Sequence, residues 1–104
     1  DARLLPNPHW ESHLRPLTGQ DTAVAQFLED HPQTQEFVDD ITNLLLRWLP
    51  AYEKSQRTYM TIAIGCTGGQ HRSVYTAEAI YRALKAEHPQ MQIRHRELST
   101  MVTA

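Results

Sequence analysis

The stretch that most constrains the fold runs from Tyr59 to His95. Tyr59-Met60-Thr61-Ile62-Ala63-Ile64 is short, β-branched and nearly all apolar, which predicts a buried strand. Gly65 to His71, with Gly68 and Gly69 at its centre, reads as a turn. From Ser73 the apolar residues Val74, Ala77, Ile80, Tyr81 and Leu84 share one helical face, and Pro89 stops that helix. Met91-Gln92-Ile93-Arg94-His95 then alternates, as a half-exposed strand should. Strand, helix, strand over this length is a βαβ unit with parallel strands and a right-handed crossover. The expected fold is therefore α/β, a three-layer sandwich with a small parallel sheet. Two strands alone make a poor sheet, so a further strand is expected within residues 1–5, upstream of Asp1, or both.

The rest of the chain reads as helix and loop. Pro6, Pro8 and Pro16 each lack an amide N–H and disfavour helix before them, so residues 1–21 are expected to be loop-like. A first helix is expected after Asp21 or Thr22, either of which can cap its free amides, with Val24, Phe27, Leu28 and His31 on one face. Pro32 breaks it. A second helix is predicted over 34–49, with Phe37, Ile41, Leu44, Leu45, Trp48 and Tyr52 as its apolar stripe and Pro50 kinking or ending it. That stripe reads as core, with a subunit interface as the alternative. Asp39 and Asp40 fall on its solvated side.

Length and charge narrow the function classes. The chain has 104 residues, 40% of them hydrophobic, and predicts one domain over 1–104 with a real core. A formal charge of −2 is not that of a strongly basic nucleic-acid binder, although it leaves room for a local basic patch. A single cysteine, Cys66, rules out an internal disulfide and fits a reducing compartment. No apolar run approaches the roughly 20 residues of a membrane span, and no signal peptide opens the chain. A cytoplasmic location is the expectation. The chain has no initiator Met, as a piece of a longer protein would not.

The chemistry concentrates in Gly65-Cys66-Thr67-Gly68-Gly69-Gln70-His71-Arg72-Ser73. Free amides at the start of a helix and the positive end of its dipole attract anions. Gly68 and Gly69 let an anion approach the backbone. Thr67 and Ser73 add hydroxyls, Arg72 a planar fork and His71 a further donor. Together these residues favour a phosphate or carboxylate. The loop is neither a Walker sequence nor a dinucleotide fingerprint, so no ATP site and no cofactor are expected from this chain. Cys66, five residues, Arg72 and Ser73 also match the Cys-x5-Arg-Ser/Thr signature of tyrosine phosphatases. On that reading Cys66 is the nucleophile and Arg72 the phosphate clamp. Gly65, however, stands where those enzymes have His, and no Asp is placed as general acid. Binding rather than turnover is the primary reading.

Asp1-Ala2-Arg3-Leu4-Leu5-Pro6-Asn7-Pro8-His9-Trp10, Arg15-Pro16-Leu17-Thr18-Gly19, the run from Gly65 to Tyr75, and Arg94-His95-Arg96 resemble, in that order, the carboxyl-terminal domain of the RapZ/YvcJ family. The resemblance covers nearly the whole chain. It implies a fold similar to a phosphofructokinase subdomain, preceded in full-length members by a P-loop domain that this chain lacks. It implies a regulatory domain that senses glucosamine-6-phosphate or UDP-N-acetylglucosamine. In RapZ-like members the domain also presents small RNA to an RNase, within a homo-oligomeric full-length protein. Carried over by position, the ligand pocket involves Asp1, His9, Cys66, Thr67, Gly68, Gly69, His71 and Arg72. Gln70 and Ser73 complete the loop.

Two departures favour the sensor over the RNA adapter. Gln70 stands where RNA-binding members carry a basic residue, and the end of the chain, from Leu98 to Ala104, is uncharged. Arg3, Asn7 and Arg15 are expected on a polar rim. Arg94 and Arg96 are expected on one face of their segment, opposite His95, and with Arg3, Asn7 and Arg15 they are the residues that would meet RNA. His9 and His13 are four apart but not on one helix face, so no metal site is expected.

Overall fold

The computed structural model describes residues 1–55 and 59–98, and its regular elements are helical. Helix α1 spans Thr22–Glu29, α2 spans Pro32–Lys54 and α3 spans Arg72–Leu84. Two short 3₁₀ turns, Ala2–Leu4 and Pro8–Trp10, shape the amino-terminal segment, each with a side-chain cap from Asp1 or Asn7.

The expected three-layer α/β sandwich is not what forms. Among the described residues there is no strand and no sheet, hence no parallel pair and no βαβ crossover. Residues 2–4, where a hidden strand was expected, are a 3₁₀ turn. Tyr59–Ile64 and Met91–His95 carry no ladder, and the first of them is not buried: Tyr59 is 83% exposed. The two segments instead line a shared groove of about 1780 Å³, with Val74, Ala77, Ile80 and Leu84 of α3 also along it. The physical reason is that a strand exists only through backbone bonds to a neighbour about 4.8 Å away. An apolar β-branched run marks a segment that suits a sheet without supplying one.

The helices follow local signals closely. Asp21 precedes α1, although its carboxylate binds back to the Thr18 amide at 2.8 Å instead of capping the helix. Pro32 occupies the first turn of α2, where its missing N–H costs nothing. Pro50 does not end α2, which runs on to Lys54. The buried face of α2 is Thr34, Val38, Thr42, Leu45 and Leu49. Of the expected stripe, Leu45 is buried and Phe37 and Ile41 are half-buried, while Leu44, Trp48 and Tyr52 face outward. Two threonines take core positions on this face, and neither hydroxyl has a hydrogen-bond partner among the described residues.

One core joins these parts. Ala2, Leu5 and Leu14 from the amino-terminal segment meet Val24 and Leu28 of α1, Val38, Leu45 and Leu49 of α2, and Tyr75, Ile80 and Leu84 of α3. Each large aliphatic side chain removed from water here contributes on the order of 1.5–3 kcal/mol. The amino-terminal segment is thus tied into the same core as α3, which brings it beside the loop that opens α3. No described helix is long and apolar enough to cross a membrane. Ser99 to Ala104, most of the uncharged end, lie outside the described residues.

Candidate functional site

The start of α3 is held from three directions. The Ala2 amide donates to the Gly65 carbonyl at 2.6 Å, and the Gly19 amide donates to the Gln70 carbonyl at 2.9 Å. Gly19 packs so closely that a Cβ there would be driven into the His71 carbonyl oxygen and the Tyr75 amide. From within, Arg72 is 6% exposed, and its Nη1 donates to the carbonyls of Arg3 (2.8 Å) and Leu5 (3.1 Å). Its Nη2 lies 3.4 Å from the Thr67 hydroxyl. Five donors on a guanidinium leave Nε–H and one Nη2–H for other acceptors.

Cys66 and Ser73 meet across the loop. The Ser73 amide donates to Cys66 Sγ at 3.4 Å, and the Ser73 hydroxyl lies 3.3 Å from the same sulfur. Burial pushes the Cys66 thiol up. The Ser73 hydroxyl and amide, the Gly69 amide and the Arg72 charge more than offset this, and the thiol sits below its ordinary value. Gly69 has φ +68°, the left-handed region, while nothing stands within 4 Å of the place a Cβ would take at Gly68. Thr67 and Gly68 are exposed. The result is an open loop at a helix N-terminus, with a buried cation behind it and a hydroxyl in front.

The structure divides the candidate residues into two groups. Cys66, Thr67, Gly68, Gly69, Arg72 and Ser73 converge on the loop. Gln70 and His71 turn away from it. The Gln70 side chain donates to the carbonyls of Arg15 (2.8 Å) and Leu17 (2.6 Å). His71 is buried, its Nε2 3.0 Å from the Leu14 carbonyl, which makes that nitrogen the donor. These two residues latch the 14–17 segment to the loop. Asp1 lies beside the loop through Ala2, with its carboxylate engaged by Arg3 at 2.6 Å. His9 is exposed, edge-to-face with Trp10, and its carbonyl accepts from Arg15 Nε at 2.9 Å. Asn7 accepts from the His9 amide at 3.1 Å. This rim connects to the loop through Arg15 and Gln70.

Arg94 and Arg96 are exposed, and both line the groove that also reaches Thr67, Gly68 and Gly69. His95 faces inward, its Nε2 2.8 Å from Glu78, whose carboxylate also accepts from Gln20 at 3.1 Å. Burial pushes the Glu78 carboxyl up. Hydrogen bonds from His95 and Gln20, together with the charges of His95 and Arg82, bring it below its ordinary value. Sequence reasoning missed Glu97. Its side chain lies over Gly69, with Cγ 2.6 Å and Cδ 3.8 Å from where a glycine Cβ would stand. Only its place directly after Arg94-His95-Arg96 hinted at this.

Comparison with known proteins agrees with this architecture of motifs. The family model described as the RapZ C-terminal domain matches residues 1–99. A relative from Pseudoalteromonas atlantica, named nucleotide-binding protein, is 56% identical over 99 residues, which is 95% of this chain and 35% of that protein. Relatives of the same name from Cellvibrio japonicus and Alcanivorax borkumensis are 53% and 50% identical over 98 residues. Those alignments take in 94% of this chain and 33% and 35% of the respective relatives. The chain thus spans about a third of the length of the curated relatives it matches, and it belongs to the RapZ C-terminal domain family.

Proposed function

We propose that this domain is a regulatory binding module that takes a phosphorylated amino sugar or UDP-sugar, with the phosphate seated on the loop from Cys66 to Ser73. The observation that carries the reading is the Thr67-Gly68-Gly69 turn before α3, exposed at Thr67 and Gly68 and backed by the buried Arg72 guanidinium. An anion there meets helix amides, a hydroxyl and a cation held in place before the ligand arrives, so little ordering cost remains. In the full-length protein, a cytoplasmic homo-oligomer that presents small RNA to an RNase is part of the same reading. Arg94 and Arg96, exposed along the groove, supply phosphate contacts for that RNA.

Calorimetric titration with glucosamine-6-phosphate, UDP-N-acetylglucosamine and inorganic phosphate tests the site. One sugar ligand should saturate, and Thr67→Ala, at an exposed position, should weaken it about tenfold, the worth of one hydrogen bond to a charged group. Absence of binding by all three refutes the reading. RNA affinity should fall steeply with salt, and a flat dependence removes the RNA contact.

The lowered Cys66 thiol, seated against Ser73 at the loop, favours one second reading, a phosphatase in which the Cys66 thiolate attacks phosphorus, the ester P–O bond breaks and the alcohol leaves with a proton from water, and a second water hydrolyses the thiophosphate while the loop holds the phosphoryl oxygens. Cys66→Ser should then abolish turnover of a phosphoryl ester and spare binding. Wild-type protein without turnover removes it.

A further inference from the structure

We infer that Glu78 is a positioning residue for the cationic wall of the groove: through His95 it fixes the register of residues 91–96 and so keeps Arg94 and Arg96 turned outward. The inference rests on the RNA reading of those two arginines and names what holds them in place.

Residues 91–96 alternate. Met91, Ile93 and His95 are half-buried, while Gln92, Arg94 and Arg96 are exposed. No ladder among the described residues joins this stretch to a neighbour. Side chains must therefore decide which residues face the body of the domain. In an extended chain a slip of one residue turns every side chain to the opposite face. Met91 packs against the core, but apolar contact is non-directional and tolerates a slip. His95 is different. Its Nε2 lies 2.8 Å from a Glu78 carboxylate oxygen, which makes that nitrogen the donor, and the two side chains are only 11% and 23% exposed. A directional bond shielded from water holds one register.

Glu78 is well placed to be the fixed end. It stands in the middle of α3, and Gln20 Nε2 donates to the same carboxylate oxygen at 3.1 Å. Burial opposes the charge on Glu78, yet the bonds from His95 and Gln20 outweigh it, so the group accepts as a carboxylate at neutral pH. Glu78 lines the cleft it shares with Gln20 and Arg82, whereas Arg94, His95 and Arg96 line the groove. A carboxylate in the groove would repel phosphate. Set behind His95, it orients the two guanidinium groups without meeting the ligand.

The test is fluorescence anisotropy of a labelled single-stranded oligoribonucleotide, read across a range of salt. Glu78→Ala should weaken binding by about tenfold or more and flatten the log–log salt slope by about 1.4, the worth of two phosphate contacts on a single strand. His95→Phe removes the same bond from the other side and should flatten the slope equally. Glu78→Gln keeps an acceptor opposite His95 and should keep the wild-type slope. With Arg94→Ala and Arg96→Ala already in place, Glu78→Ala should change nothing further, because the groups it positions are gone. Leu45→Ala, a core truncation on α2, should lower the melting temperature and leave the slope intact. A slope that survives both Glu78→Ala and His95→Phe overturns the inference, as does an equal flattening in Leu45→Ala. If wild type does not bind the probe, the RNA reading has failed and takes this inference with it. Binding that depends on Arg94 and Arg96 but not on Glu78 is the failure of the inference alone.

Discussion

Replacing Gly19 with alanine should be the most damaging small change in the chain. The added methyl would be forced against the His71 carbonyl oxygen and the Tyr75 amide, with Val74 Cβ at 2.9 Å. Those two backbone groups are bonded to each other at 2.9 Å, in the first turn of α3. Backbone cannot swing aside as a side chain can. The 18–20 segment must therefore lift off the helix, which also strains the Gly19 amide bond to the Gln70 carbonyl. Overpacking of this kind costs about 1–3 kcal/mol, and a disturbed helix hydrogen bond adds about 1 kcal/mol. A loss of about 3 kcal/mol follows, equivalent to about 12–24 °C in melting temperature for a domain of this size. Thermal unfolding followed by circular dichroism measures it, with Gly68→Ala as the control, since nothing lies within 4 Å of a Cβ at Gly68. A Gly19→Ala protein that melts within a few degrees of wild type would refute the close-packed latch between this segment and α3.

Other consequences can be measured in the same protein. Thr34→Val should stabilise by about 1 kcal/mol in urea unfolding, because the buried hydroxyl it removes has no partner among the described residues. Cys66 should alkylate with a pH midpoint below that of an ordinary cysteine, and Ser73→Ala should move that midpoint upward. Because the folded value is the lower one, the thiolate's contribution to stability is present above the unfolded value and is lost as pH falls through the folded value. Tyr75 is pushed up to about 12 by burial and by the charge and hydrogen bond of Glu29 at 3.2 Å. Its contribution to stability is thus whole below the unfolded value near 10 and lost as pH rises towards about 12. Ultraviolet titration should show a late phenolate that disappears in Tyr75→Phe.

What could be read from the residues was whatever depends on near neighbours in the chain. Asp21 before α1 and the Gly-Gly turn before α3 are local signals, and those helices begin within a residue of where they were expected, whereas α2 begins at Pro32, read as a breaker, two residues before the expected start at Thr34. The sheet was not legible, because Tyr59–Ile64 meets the composition of a strand but pairs with nothing among the described residues. The face of α2 was misjudged by a fraction of a turn. Apolar side chains at Leu44, Trp48 and Tyr52 outweighed Thr34 and Thr42 in the pattern, yet the threonines are the buried ones. At the site, residue types in the loop pointed to anion chemistry, and Thr67, Cys66, Arg72 and Ser73 do come together there. The partners of Gln70 and His71 are backbone carbonyls of residues 14–17, which every residue carries and no side-chain motif announces. Glu97 was invisible for a related reason: its relation to Gly69 is purely tertiary.

The central claim is that the loop opening α3 receives a phosphate. Titration of ¹⁵N-labelled protein with glucosamine-6-phosphate, followed amide by amide in nuclear magnetic resonance spectra, tests it most directly. A phosphate seated on this loop should give saturable shifts largest at Thr67, Gly68, Gly69 and Ser73, with smaller ones at Glu97 and little change along the outer face of α2. Shifts centred elsewhere, or none at millimolar ligand, would contradict it.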